Sequence, residues 1–156
     1  MTRIATIALL LGLTMTSAPA WAAKPKMLVQ DLVAQGVEAH EAQVISTATC
    51  NAISKTAKYD VLCGDDLRNM MRFGALAASF DTCADASCYS SMGKAMQARF
   101  IVSGTISRLG KTFVMSLSMI DTETARPVGR TELKADSIEK LHTQATEAAS
   151  AILTNR

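Results

Sequence analysis

Arg99–Leu109 (RFIVSGTISRL), Gly110-Lys111 and Thr112–Asp121 (TFVMSLSMID) form the stretch on which the fold turns. Upstream of it, apolar residues recur at helical spacing; inside it they alternate. Phe113, Met115, Leu117 and Met119 alternate with Val114, Ser116 and Ser118, the period of a strand with one face on a core. Gly110-Lys111 supplies a tight turn, so the two runs read as a hairpin. Thr122–Arg126 is a second turn, and Val128–Ala135 a third strand whose polar composition suits a sheet edge. A helix then starts at Asp136, with Glu139 three residues on as in a capping box. Its apolar stripe is Ile138, Leu141, Ala145, Ala148 and Ile152.

Toward the N-terminus the elements alternate in type. Lys26–Val33 (KMLVQDLV) reads as a strand, followed by a turn at Gly36. Glu38–Thr56 reads as a helix, with Val44, Ile45, Ala48, Ala52 and Ile53 on one apolar face. Tyr59–Cys63 (YDVLC) is a second short strand. Asp65-Asp66 opens another helix, because carboxylates complement the positive end of a helix. That helix is expected to run to about Ala78. Phe80–Ser87 is a loop carrying Cys83, and Cys88–Met96 a short helix. The order is therefore β-α-β-α-α-β-β-β-α. It predicts an α/β (α+β) domain in which helices pack on a mixed sheet of about five strands, with early crossovers and a late meander.

The first residues do not belong to that domain. Arg3 precedes an uncharged apolar run, Ile4–Met15, and Ala20-Trp21-Ala22 places small residues where a signal peptidase reads. Residues 1–22 are read as a secretory signal, with cleavage after Ala22, or alternatively after Ala20. The run is shorter than the ~20 residues of a membrane span. Residues 23–156 are read as a single domain in the periplasm or secreted. Arg3 is one of 16 basic residues against 14 acidic, so removing it leaves a net charge of +1. With no basic run, nucleic acid is not an expected partner.

Four cysteines remain, Cys50, Cys63, Cys83 and Cys88. An even count in an oxidising compartment argues for disulfides, of which three pairings exist. Cys83–Cys88 and Cys50–Cys63 are favoured: one closes a tight loop before a helix, the other ties a helix to the strand that returns from it. Zinc is disfavoured because no C-x-x-C pair and no neighbouring histidine occur. Asp65-Asp66 could be a paired-carboxylate site, but reads better as a capped helix start. Met92 and Met96 are read as core filler and not as a copper site. His40 and His142 stand alone on polar helix positions. No catalytic, cofactor or metal site is expected.

Cys83–Cys88, then Met92-Gly93-Lys94-Ala95-Met96-Gln97-Ala98, then Phe100–Ser107 and Leu109–Asp121 with Thr124 behind it, carry a resemblance. They resemble the α/β domain shared by the TolB amino-terminal region, curli-secretion channel proteins and lipoprotein activators of penicillin-binding proteins. Versions in cell-envelope proteins of delta-type proteobacteria are the most alike. Those carry C-x4-C followed by G-x-x-x-x-A-x-(F/Y)-(I/L)-V-S-G. The resemblance implies a periplasmic assembly or partner-binding module without catalysis. Two departures stand out: there is no lipoprotein cysteine, and there are no pore-forming segments. The expected role is a soluble accessory protein that binds an envelope partner. The alternatives are a small periplasmic enzyme or a metal or ligand carrier.

A partner surface is suggested on the helix that opens at Asp65. At 100° per residue, Leu67, Met70, Met71, Gly74, Ala77 and Ala78 share one sector, the expected core face. Asp65, Arg68, Asn69 and Arg72 lie opposite. Phe73, Leu76 and Phe80 fall among these polar residues, and aromatic residues beside arginine are enriched at interfaces. Phe73, Leu76, Phe80 and Arg72 are therefore candidates for partner binding or self-association. Alternatively, the helix unwinds after Ala75 and tucks Phe80 under the Cys83–Cys88 loop.

Overall fold

The computed structural model describes residues 23–71, 83 and 85–154. Among these residues six strands form one mixed sheet. They are β1 (Lys26–Val29), β2 (Val33–Gln35), β3 (Asp60–Cys63), β4 (Phe100–Leu109), β5 (Thr112–Asp121) and β6 (Arg126–Ala135). The helices among the described residues are α1 (Ala39–Lys55), α2 (Gly64–Met71), α3 (Ala86–Ala95) and α4 (Ile138–Thr154). The strands lie in the order β3-β1-β4-β5-β6, with β2 also on β4. β1 is parallel to β3 and β4, whereas β4, β5 and β6 form an antiparallel meander. This is the mixed α/β architecture that the alternation of patterns predicts.

The β4–β5 ladder is the most regular part. Every residue from Phe100 to Leu109 has a partner between Asp121 and Thr112. Because pairing preserves the face, Val102, Gly104 and Ile106 lie with Met119, Leu117 and Met115 on one side. Helices α1 and α4 cover that side, where Ile45 and Ile53 of α1 and Leu141 and Ile152 of α4 join the main core. The other side carries, among the described residues, a smaller cluster of Leu28, Leu67, Met92, Ala98 and Ile101, covered by α2 and α3.

The expected strand Lys26–Val33 is two strands. The chain takes four steps from Val29 to Val33 while β4 takes three from Val102 to Thr105. The surplus residue makes a bulge over Gln30–Leu32. It is fixed from α1: the Leu32 amide donates to Ser46 Oγ at 2.8 Å, and Ser46 Oγ donates to the Ala42 carbonyl at 2.7 Å. Leu32 itself is buried in the main core.

Other boundaries move by one or two residues for local reasons. Helix α3 starts at Ala86, ahead of the expected Cys88, because Asp85 accepts from the amides of Ser87 and Cys88, both at 2.9 Å. Helix α4 starts at Ile138. Its cap is Ser137, in place of Asp136, since Ser137 Oγ accepts from the Lys140 amide at 3.2 Å. Asp136 pairs with Lys140 at 3.3 Å.

The two glycines of the G-x-x-x-x-A-x-F-I-V-S-G run have steric reasons to be there. A Cβ on Gly104 would lie 2.2 Å from the Ser116 carbonyl oxygen, and one on Gly93 would lie 2.2 Å from Thr122 Cγ2. Gly93 thus lets α3 approach the turn after β5. Thr122 there donates through Oγ1 to the Ala98 carbonyl at 2.6 Å, and its own carbonyl accepts from Ser90 Oγ. Asp121 holds the same turn, accepting from the Glu123 and Thr124 amides at 2.9 and 3.1 Å and from Arg99 at 2.7 Å.

Candidate functional site

A groove runs between α1 and α4. Strands β2 and β6 both run parallel to β4, and each is followed by a helix that returns across the same sheet face. The two helices therefore point the same way, and their first turns border the same cavity. One cavity of about 380 Å³ is lined by His40, Glu41, Val44, Ile138, Glu139 and His142, among others. It shares His40, Val44, His142 and Thr143 with a second of about 780 Å³, which continues past Ala48 and Asn51 to Lys55. Small residues, Ala48, Ala52 and Ala145, line the groove along its length.

Val44 is the exposed apolar residue of this groove. The helical pattern places it with the core face of α1, yet it is 53% exposed. α4 packs alongside α1 and not over it, so the core takes Ala42, Ile45, Ala52 and Ile53 and leaves Val44 on the rim. The two histidines, far apart in sequence, meet at the same end of the groove. Both are exposed, as their polar positions suggest. Their convergence has only a faint trace in the sequence: His40 precedes Val44 by one turn, and His142 follows Ile138 by one turn. Glu139, at this end, accepts from its own amide and from the Ser137 hydroxyl, which lowers its pKa.

The residues singled out from the sequence are dispersed. Cys50 is bonded to Cys63, with Cα atoms 5.8 Å apart, and joins α1 to the end of β3. Cys83 is bonded to Cys88, with Cα atoms 5.5 Å apart, across the start of α3. No cysteine is free. Asp66 accepts from the Cys63 amide at 3.2 Å, and Asp65 pairs with Arg68, which also pairs with Asp31. These carboxylates secure the start of α2. Met92 is buried in the smaller cluster, with Met96 packed against it. Arg72, Phe73, Leu76 and Phe80 lie outside the described residues. Among the described residues no group of three or more His, Cys, Asp or Glu is placed to hold a metal ion. No described helix is long and apolar enough to cross a membrane.

A mixed sheet with helices on both faces, a late meander and a surface groove between parallel helices defines the structural class. Neither a family model nor a curated protein matches the sequence. Solved structures do match. The PelC dodecamer from Paraburkholderia phytofirmans is similar over 85% of this chain and 88% of its own, at 14% identity and a TM-score of 0.52. The LpoB C-terminal domain from Escherichia coli is similar over 78% and 89%, at 13% identity and 0.54. TolB from Acinetobacter baumannii is similar over 84% of this chain and 28% of its own, at 11% identity and 0.54. The chain shares the fold of this TolB-like and LpoB-like group, which is the resemblance that residues 83–121 carry.

Proposed function

We propose that this chain is exported, loses residues 1–22, and acts in the periplasm as a non-catalytic accessory protein that binds another envelope protein. The observation that carries this reading is the α1–α4 groove. It offers exposed apolar surface at Val44 and a floor of small residues. Such a surface suits protein contact. Two disulfides fit an oxidising compartment. The shared fold supports the reading as analogy, since folds host unrelated functions. The envelope partner is proposed to meet the segment with Arg72, Phe73, Leu76 and Phe80, the groove, or both.

The test is periplasmic crosslinking and capture with the wild type, Phe73→Ser/Leu76→Ser and Val44→Asp. One defined envelope protein is expected with the wild type. It should be lost from at least one variant whose melting temperature is unchanged. Capture of the same proteins by all three would overturn the reading. Intact mass should show a mature chain beginning Ala23-Lys24-Pro25; retention of Met1–Ala22 would remove the export step.

A further inference from the structure

The rim of α1 has a pattern of its own. Glu41, Val44, Ala48, Asn51 and Lys55 are spaced three, four, three and four residues apart, the spacing by which one helix seats along another. All five line the groove cavities, and none belongs to the buried set of α1, which is Ala42, Ile45, Ser46, Thr49, Cys50, Ala52 and Ile53. The row runs from an acid at one end to a base at the other, with the smallest side chain in the middle. Among the described residues neither Glu41 nor Lys55 has an ion-pair partner.

Such a row is complementary to itself reversed. A two-fold axis passing at Ala48 brings a second α1 alongside in the opposite direction, and each contact then occurs twice. Glu41 faces Lys55 of the second copy, Val44 faces Asn51, and Ala48 faces its own counterpart. Alanine at the crossing permits close approach of the helices. Antiparallel packing also sets the positive end of each helix dipole beside the negative end of the other. A parallel pairing would place Glu41 on Glu41 and Lys55 on Lys55, so charge selects the antiparallel one.

We infer that the rim of α1 is a self-association surface, and that the occupant of this part of the groove is the α1 of a second copy, antiparallel and centred on Ala48. This rests on reading the groove as a protein-contact surface, and it leaves the α4 side of the groove and the segment around Phe73 for the envelope partner.

Sedimentation of the purified protein tests it apart from any capture experiment. A concentration-dependent dimer is expected, with Ala48→Cys closing an intermolecular disulfide across the axis. Gln43→Cys, off the row, should close none. Lys55→Glu should weaken the dimer about tenfold, and Glu41→Lys with Lys55→Glu should restore it. Thermal melts of each variant show whether the monomer fold is intact, which is expected because Gln43 and Lys55 are exposed and Glu41 and Ala48 only half-buried. A wild type that stays monomeric at about 100 μM, or a dimer indifferent to Lys55→Glu, would overturn the inference. Either result would leave the proposed binding of an envelope protein standing.

Discussion

The two helical layers hold to the same sheet by different means. Helices α1 and α4 seal one face through a large apolar core, to which Met27, Val102, Met115 and Met119 contribute from the sheet. Helices α2 and α3 cover the other face, with five buried residues in its cluster among the described residues. Directed bonds recur among the described residues of this second layer. Thr122 grips Ala98 and accepts from Ser90, the Tyr89 hydroxyl donates to the Cys83 carbonyl at 2.9 Å, and Asp85 caps α3. Hydrophobic burial is non-directional and grows with area. A hydrogen bond contributes only about 1 kcal/mol net but fixes position. The first layer should therefore respond to lost volume, and the second to lost geometry.

Loss of volume gives the largest expected effect. Ile53 is 0% exposed and sits in the main core. Ile53→Ala should cost about 2–5 kcal/mol, the range for a large-to-small change in a packed core. Chemical denaturation measures it. A loss below about 1 kcal/mol would mean that α1 is seated on the sheet by something other than its apolar face.

The disulfides provide the next contrast, one in each layer. Cys50–Cys63 spans 13 residues in sequence and Cys83–Cys88 spans 5. In the chain-entropy model the longer loop contributes about 3 kcal/mol and the shorter about 2. Serine pairs at each site, compared by melting temperature, should preserve that order. If removing Cys83–Cys88 costs more, the α3 layer depends on its staple for native geometry and not only for a restricted unfolded state.

How much of this was legible in the sequence follows the same division. Strands β4 and β5 show themselves because strict alternation and a glycine turn are local signals, and their register follows from the turn. The pattern of Ile45 and Ile53 marks the core side of α1. The break in KMLVQDLV was not legible. Nothing within those residues marks a bulge, which is imposed by a hydroxyl from Ser46 on the next helix. Val44 departs from its helical pattern for a related reason. A helical wheel gives the angle of a side chain but not where the neighbouring helix lies, and α4 lies beside α1. The meeting of His40 and His142 depends on that same packing, so it appears only once both helices are placed.

The smallest expected effect is the most directional. Asp85 has its carboxyl held below the usual carboxylate range, first by the Cys88 amide, then by the Ser87 hydroxyl and amide. Those bonds favour the ionised form in the folded state. The unfolded carboxyl is therefore protonated at a higher pH than the folded one. Stability from the cap is present above the unfolded value and is lost as pH falls through the depressed folded value. Asp85→Ala should thus melt earlier than the wild type at neutral pH, and the two melting curves should converge in acid below the folded value. Asp85→Asn keeps an oxygen acceptor for the amides but has no charge to titrate. It should fall between the two at neutral pH, with a difference from Asp85→Ala that does not change on acidification. Parallel curves for all three proteins across the acid range would show that the α3 start is held by the Cys83–Cys88 bond and the Thr122 contacts, with the Asp85 carboxylate adding nothing.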